Sequence, residues 1–392
     1  MTETKLSRAK QTTGLIYKHS LFIEVIIVFV LFQFLTGGTF ITTRNLSNLM
    51  MQGATCSLIA VTMMLVIVSC NSDLSAGSAL GCIGTIAATL QVTLGWGTVP
   101  TMLLVLLAGL LLGFWHGYWI AYKKLPAFIV TLATQLVVKG ITLLVGNGAA
   151  IGPMSESFSA LGKGYMPSLF LKDATFNDLS LIITVVLLTV YVIVTIASEK
   201  KRIRQGLVQP KWSKMLLKTA GIVVLVAAAA SIFVFYKGFP YAIVLLLAAA
   251  AAVNFVVKNT KFGRYVFAIG GNAEAARLSG INNERVVLKI YVLHSVVVSL
   301  ASIVYLGRVG QATATAGTSF EFTAITGCVV GGTSIMGGRG NVVGAVIGTM
   351  LMASLDNGMS LLNMGQSTQY IVKGLVLMLA IAMDVISRNK KG

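Results

Sequence analysis

Charge is scarce in this chain. Of its 392 residues only 11% are Asp, Glu, Lys or Arg, against about 25% in ordinary soluble domains. Acidic residues number 12, most of them in loops, too few for the carboxylate or histidine relay that an ion-coupled carrier needs. The three histidines (His19, His116, His294) are scattered along the chain. The four cysteines (Cys56, Cys70, Cys82, Cys328) lie within or beside apolar segments without metal-ligand spacing, so they read as buried structural thiols. No metal centre is expected. There is no Gly-x-x-x-x-Gly-Lys-Ser/Thr phosphate loop, so the chain is not expected to hydrolyse ATP. No nucleophile–base pairing emerges either, and no catalytic residue is assigned. Nothing at the start resembles a cleavable signal peptide, because the first 19 residues are polar and basic and lead straight into an apolar segment.

What is abundant is apolar surface. Hydrophobic residues make up 56% of the chain, more than a soluble core of this size can bury. They fall in runs long enough to cross lipid, which needs roughly 20 apolar residues per helix. The expected fold is all-α and polytopic, with 10 to 12 membrane helices in two halves. Candidate spans are 20–40, 46–70, 78–96, 100–122, 126–147, 178–197, 219–236, 239–257, 287–308, 321–336, 342–363 and 368–387. The domain plan is a tail (1–19), a membrane domain (20–387) and a second short tail (388–392).

The net charge of +18 does not point to nucleic acid, because the basic loops carry few base-reading or aromatic side chains. Lys and Arg collect before Ser20, at Lys123-Lys124, between Lys200 and Lys218, between Lys258 and Lys289, and at the C-terminus. With those five stretches in the cytoplasm, 22 of the 30 basic residues obey the positive-inside pattern and both termini are cytoplasmic. The basic loop 198–218 then faces the anionic inner leaflet, and 148–177 lies outside.

Two apolar stretches are interrupted. One breaks at Asn71-Ser72-Asp73-Leu74-Ser75, the other at Gly331-Gly332-Thr333-Ser334 through Gly337-Gly338. They occupy comparable places in the two halves, and paired interruptions point to a transport pathway between repeats. Unrelated polar turns remain the plainer reading. Small residues recur every four positions at Gly109, Gly113 and Gly117, and again at Gly340, Gly344 and Gly348, which predicts close helix packing within or between subunits.

The loop 258–289 is the most specific segment. Glu274 to Leu278 reads as a short surface helix with Asn272 as its cap and Gly280 as its stop. Glu274-Ala275-Ala276, three residues, then Gly280 resembles the start of the coupling motif of ABC-importer permeases, with Ile290 in register. The motif's following Leu-Pro is replaced by Val292-Leu293. The run from Gly263 to Ile281 resembles the ribose/xylose/galactoside branch of those permeases. So do Gly337-Gly338-Arg339-Gly340, Asp356-Asn357-Gly358, Arg44 to Leu49, and Asp73 to Ser78. The likeness spans nearly the whole chain. A hairpin near 178–236, absent from shorter ribose-type permeases, places it closer to xylose-type ones.

The resemblance implies a permease subunit of an importer for a monosaccharide, a pentose such as xylose or a hexose, in the bacterial inner membrane. Its implied partners are an ABC ATPase subunit that uses ATP and Mg, an extracytoplasmic sugar-binding protein, a second permease copy and membrane lipid. This chain itself would bind no cofactor. Coupling to the ATPase would fall to Gly271, Asn272, Glu274, Ala275, Ala276, Arg277 and Gly280. A branched-chain amino acid or nucleoside cargo, or an ion-coupled carrier, are the alternatives.

For the pathway, Asn71, Ser72, Asp73 and Ser75 offer groups that bind sugar hydroxyls or, equally, cap a helix start. Thr333, Ser334, Asp356 and Asn357 complete the candidate set. Lys139, Asp356 and Lys373 are the expected intramembrane charges, and Asp356 and Lys373 read as an ion pair or as substrate groups.

Overall fold

The computed structural model describes residues 21–171, 175–206 and 212–389. The tail 1–19, Asp173 in the stretch 148–177, part of the basic loop and the last three residues lie outside the described residues.

Fifteen helices follow one another, with no sheet among the described residues: α1 (Leu21–Leu35), α2 (Thr43–Val68), α3 (Ala76–Thr93), α4 (Thr98–Tyr122), α5 (Ala127–Gly146), α6 (Glu156–Lys163), α7 (Asp178–Arg204), α8 (Trp212–Val234), α9 (Tyr241–Asn259), α10 (Lys261–Gly271), α11 (Ala273–Leu278), α12 (Asn283–Val309), α13 (Phe320–Val330), α14 (Val342–Leu361) and α15 (Gln366–Asn389). Ten are long and apolar enough to cross a membrane. α1 and α13 are shorter than the spans expected there. Helices α3 and α4 each finish in a wider π-type turn, at 89–93 and 118–122.

From Gly53 onward α2 is apolar or small on every face, and the helix is buried along nearly its whole length. Around it stand α9, α12, α13 and α14. α7 and α15 lie at the other extreme, with Leu, Ile, Val and Met side chains turned outward as lipid contact demands.

Both small-residue ridges pack inside the subunit. Gly109, Gly113 and Gly117 of α4 lie against Ser295, Ser299, Tyr291, Val292 and Leu288 of α12, so closely that a Cβ would meet backbone. Gly344 and Gly348 of α14 meet Gly331 and Gly327 at the end of α13 in the same way. Dispersion and backbone approach drive such contacts in lipid, where no hydrophobic force joins helices.

Before α13 the chain is not helical. Ala312 exchanges hydrogen bonds with Ile151 (3.0 and 2.9 Å), and then Ala316 and Gly317 pass against Gly81 and Gly77 of α3. Their backbone is satisfied by tight turns, Ala316 to Thr313 and Phe320 to Gly317. With 11 residues, α13 rises only about 16 Å, so this descending segment supplies the rest of the crossing. Irregular backbone at this depth survives because protein surrounds it.

Candidate functional site

The surface helix expected in the 258–289 loop is α11, and its ends are made by its own sequence. Asn272, in extended backbone, accepts a hydrogen bond at Oδ1 from Ala275 N (2.9 Å), capping the start. At the other end Ile281 N donates to Ala276 O and Gly280 N to Arg277 O, a Schellman stop with Gly280 at φ +83°. Arg277 grips Glu274 with two hydrogen bonds, Nη2 to Oε1 (2.6 Å) and Nε to Oε2 (3.0 Å). That grip holds the Glu274 carboxyl below the usual carboxylate range.

Ala276 alone of the expected coupling residues points inward. Gly271, Asn272, Glu274, Ala275, Arg277 and Gly280 are exposed. Leu278, passed over in the sequence reading, is 75% exposed, an apolar knob on an otherwise polar end. Its signal was its position in α11 away from Ala276. Asn283 Nδ2 donates to Ala273 O (2.8 Å), tying α11 to the start of α12. An ion pair joins Lys124 to Glu284, so the Lys123-Lys124 loop lies at this same basic end.

Directly behind α11, the two interrupted segments meet. Gly270, at the end of α10, lies against the carbonyl of Val68 at the end of α2, and Gly338 N donates to that carbonyl (2.9 Å). Only glycine fits at 270 without pushing these backbones apart. Cys70 (φ +60°) reaches the carbonyls of Gly270 (3.5 Å) and Met336 (3.4 Å) through Sγ. Ser334 Oγ and Ile335 N both donate to Asp384 Oδ2 on α15 (3.0 and 3.1 Å). Thr333 is buried, with Oγ1 lacking a hydrogen-bond partner among the described residues.

Asp73 sits deeper. It is 1% exposed, and its Oδ1 accepts from Ser75 N (2.7 Å) and Ser75 Oγ (2.6 Å), the geometry of a turn that launches α3. Its Oδ2 lies 3.4 Å from His294 Nε2 and 3.7 Å from His116 Nδ1. Thr62 Oγ1 holds the other nitrogen of His294 (2.9 Å), and Tyr291 donates its hydroxyl to Ser72 O (3.0 Å). The expectation of scattered histidines is therefore corrected: His116 and His294 converge on one carboxylate. They do so because the glycine ridge draws α4 onto α12, a pairing no spacing in the sequence states. Among the described residues no group of three or more His, Cys, Asp or Glu is arranged to hold a metal. Asn71 binds back to Ser69 through Nδ2 (2.9 Å).

Asp356 and Asn357 stand roughly 20 Å along α14 from Val342, away from this joint. Asp356 Oδ2 pairs with Lys373 Nζ at 2.8 Å. Asn357 and Asn45 exchange side-chain hydrogen bonds (2.8 and 3.0 Å), and Asn45 also donates to Phe40 O. The eight pathway candidates thus occupy three places: the joint behind α11, the buried Asp73 knot, and the α14–α15 contact.

Comparison with known proteins agrees over nearly the full chain. The family described as branched-chain amino acid transport system / permease component matches residues 45–381. The xylose transport system permease of Escherichia coli K12 is 39% identical over 366 residues, 93% of this chain and 91% of that protein. The xylose transport system permease of Haemophilus influenzae is 38% identical, over 94% of this chain and 96% of that protein. The ribose import permease of Escherichia coli K12 is 29% identical over 100% of this chain and 99% of that protein. No solved structure matches. With its ten apolar spans, this chain belongs to the branched-chain amino acid transport system / permease component family.

Proposed function

We propose that this chain is the membrane-spanning subunit of an ATP-driven importer of a monosaccharide, xylose first. The observation that carries the reading is the 39% identity to a xylose transport system permease across 93% of the chain. The exposed, self-capped α11 supports it. A rigid helix presenting Leu278 and Ala275 suits a groove on a partner, and Gly270 places that helix against the ends of both interrupted segments. A push on α11 therefore reaches α2, the 331–340 loop and α15 without passing through a flexible linker.

In this reading the basic end faces the cytoplasm, where an ATPase subunit docks, and a sugar-binding protein delivers the cargo from the other side. A second copy of the chain completes the assembly. ATP and Mg act in the ATPase, and the chain itself holds no cofactor.

The test is reconstitution of the permease with its ATPase and binding protein in liposomes loaded with ATP and Mg. Accumulation of labelled xylose that stops when ATP is omitted is the expected result. Uptake driven by a proton or sodium gradient with the permease alone overturns it. So does ATP-driven uptake of leucine or a nucleoside without uptake of any sugar.

A further inference from the structure

Resting on the sugar-importer reading, we infer that the sugar binds during its passage in a polar cavity between α3, α5 and the descending segment before α13. The cavity measures about 140 Å³, far above the roughly 15 Å³ that one water needs. It has room for a single sugar ring and none for an oligosaccharide. Ser78, Gln135, Lys139, Thr142, Thr318, Ser319 and Glu321 supply its polar wall.

Three features mark it as a built site. Glu321 is 2% exposed and lines the cavity; its carboxyl lies against the Gly77 backbone of α3, and its Oε2 accepts no well-aligned hydrogen bond among the described residues. Leaving a buried acceptor unmade costs about 1–3 kcal/mol, more for a charged group, so a folded chain keeps one where a ligand or water satisfies it. Stabilising the start of α13 would need only an exposed carboxylate there, not one enclosed in a cavity. Next, Lys139 lies about 18 Å into α5 yet is exposed, and an ammonium at that depth is tolerated only against water or protein. Last, the wall mixes acceptor, donor and amphoteric groups: a carboxylate, an ammonium, an amide and four hydroxyls. A neutral polyol presents hydroxyls that donate and accept in turn, so it can satisfy all of them. Phe322 and two alanines, Ala314 and Ala316, complete the lining. An aromatic face there suits the C–H face of a sugar ring.

A second cavity of about 260 Å³ borders the same Ser319 and Phe322 and is lined further on by Tyr370 and Lys373.

The test uses the complete reconstituted importer. First, wild type must accumulate xylose with ATP, which secures the underlying reading separately. Glu321→Gln and Gln135→Ala are then expected to lower the number of sugars moved per ATP hydrolysed about tenfold, while Leu136→Ala, on the exposed face of α5, keeps the wild-type ratio. An unchanged ratio in both cavity variants, beside an active wild type, overturns the site. An independent arm removes any question of misfolding. Ala314→Cys, in an importer that still transports, is expected to react with a small water-soluble thiol reagent above the parent's background, and xylose is expected to slow that reaction severalfold. No labelling, or protection by leucine and not by xylose, overturns the assignment.

Discussion

Asp73 concentrates the residue-scale argument, because one carboxylate does two jobs with its two oxygens. Oδ1 starts α3 through Ser75, and Oδ2 faces two imidazoles from α4 and α12. Asp73→Asn keeps a carbonyl oxygen for the Ser75 turn that precedes α3 and removes the charge between the rings. A double-mutant cycle of Asp73→Asn with His294→Leu separates the jobs. Unfolding in detergent is expected to give a coupling energy on the order of 1 kcal/mol, within the range for contacting residues and for polar contacts in membrane helices. Strictly additive effects would reduce Asp73 to the turn before α3. The sequence displayed Asp73 as an oddity at a break and left sugar binding and helix capping equally open; the structure shows Asp73 bonded to Ser75 in the turn that precedes α3, with no side-chain cap on the helix itself. It did not display the partners, since His116 and His294 meet only once α4 and α12 are packed. Glu321 escaped the sequence reading for a related reason. At the edge of an apolar run it resembles an ordinary helix-flanking acid until the descending segment draws it inward.

At the scale of the element, α11 was the most legible part of the chain. Its cap, its stop and its length all follow from local rules, and the structure begins it at Ala273, one residue ahead of the expected start. α10, the helix that anchors it, was not read from sequence, because Lys261–Gly271 looks like a loop by composition. The two kinds of residue in α11 separate shape from contact. Gly280→Ala forces a side chain onto φ +83°, at a cost of about 1–2 kcal/mol, and loosens the stop. Leu278→Asp leaves the helix intact and removes the apolar knob. Both are expected to lower permease-dependent stimulation of the ATPase severalfold, with Leu278→Asp also weakening co-purification of the two proteins. Normal stimulation in Leu278→Asp would move the contact elsewhere on the loop.

The Glu274–Arg277 grip adds a pH expectation for the same element. The Glu274 carboxyl is depressed, so whatever the pair contributes is complete above the unfolded carboxylate value of about 4.3. It is lost only as pH falls through the lower folded value. Both side chains are exposed, and such pairs contribute little. ATPase coupling should therefore show no step near neutral pH that Glu274→Gln abolishes. A neutral-pH step in wild type that disappears in Glu274→Gln would mean that a partner desolvates the pair.

At the scale of the whole molecule, the α7–α8 hairpin leaves and rejoins the bundle at one place, where its ends close on each other. Met166 N donates to Phe239 O (2.9 Å) and Tyr241 N to Gly164 O (3.0 Å), so residues 164–166 and 239–241 form a short antiparallel clasp. Everything from 167 to 238 leaves through that clasp and returns to it. Within the loop, Asp178 is occupied with its own module, accepting from the backbone of Leu169 (2.9 Å), Phe170 and Leu171 (2.8 Å). α7 packs chiefly on α8, and α8 touches the rest through α2. The sequence suggested the hairpin as an addition to a ten-span plan, and the clasp supplies the physical reason such an addition is tolerated: insertions are accepted where the chain ends lie together. Joining Met166 to Phe239 through a short Gly/Ser turn should therefore give a chain with two fewer spans that inserts and assembles. The change in crossings is even, so the ends of the remaining spans keep their sides. The cost falls on α2, whose surface under α8 becomes lipid-facing, and on Met166 O and Phe239 N, which lose their partners Asn177 Nδ2 and Ser180 Oγ (2.9 Å each). Loss of several degrees of thermal stability with uptake retained is the expected outcome. A shortened chain that is stable, correctly inserted and silent in transport would instead make the hairpin part of the transport machinery.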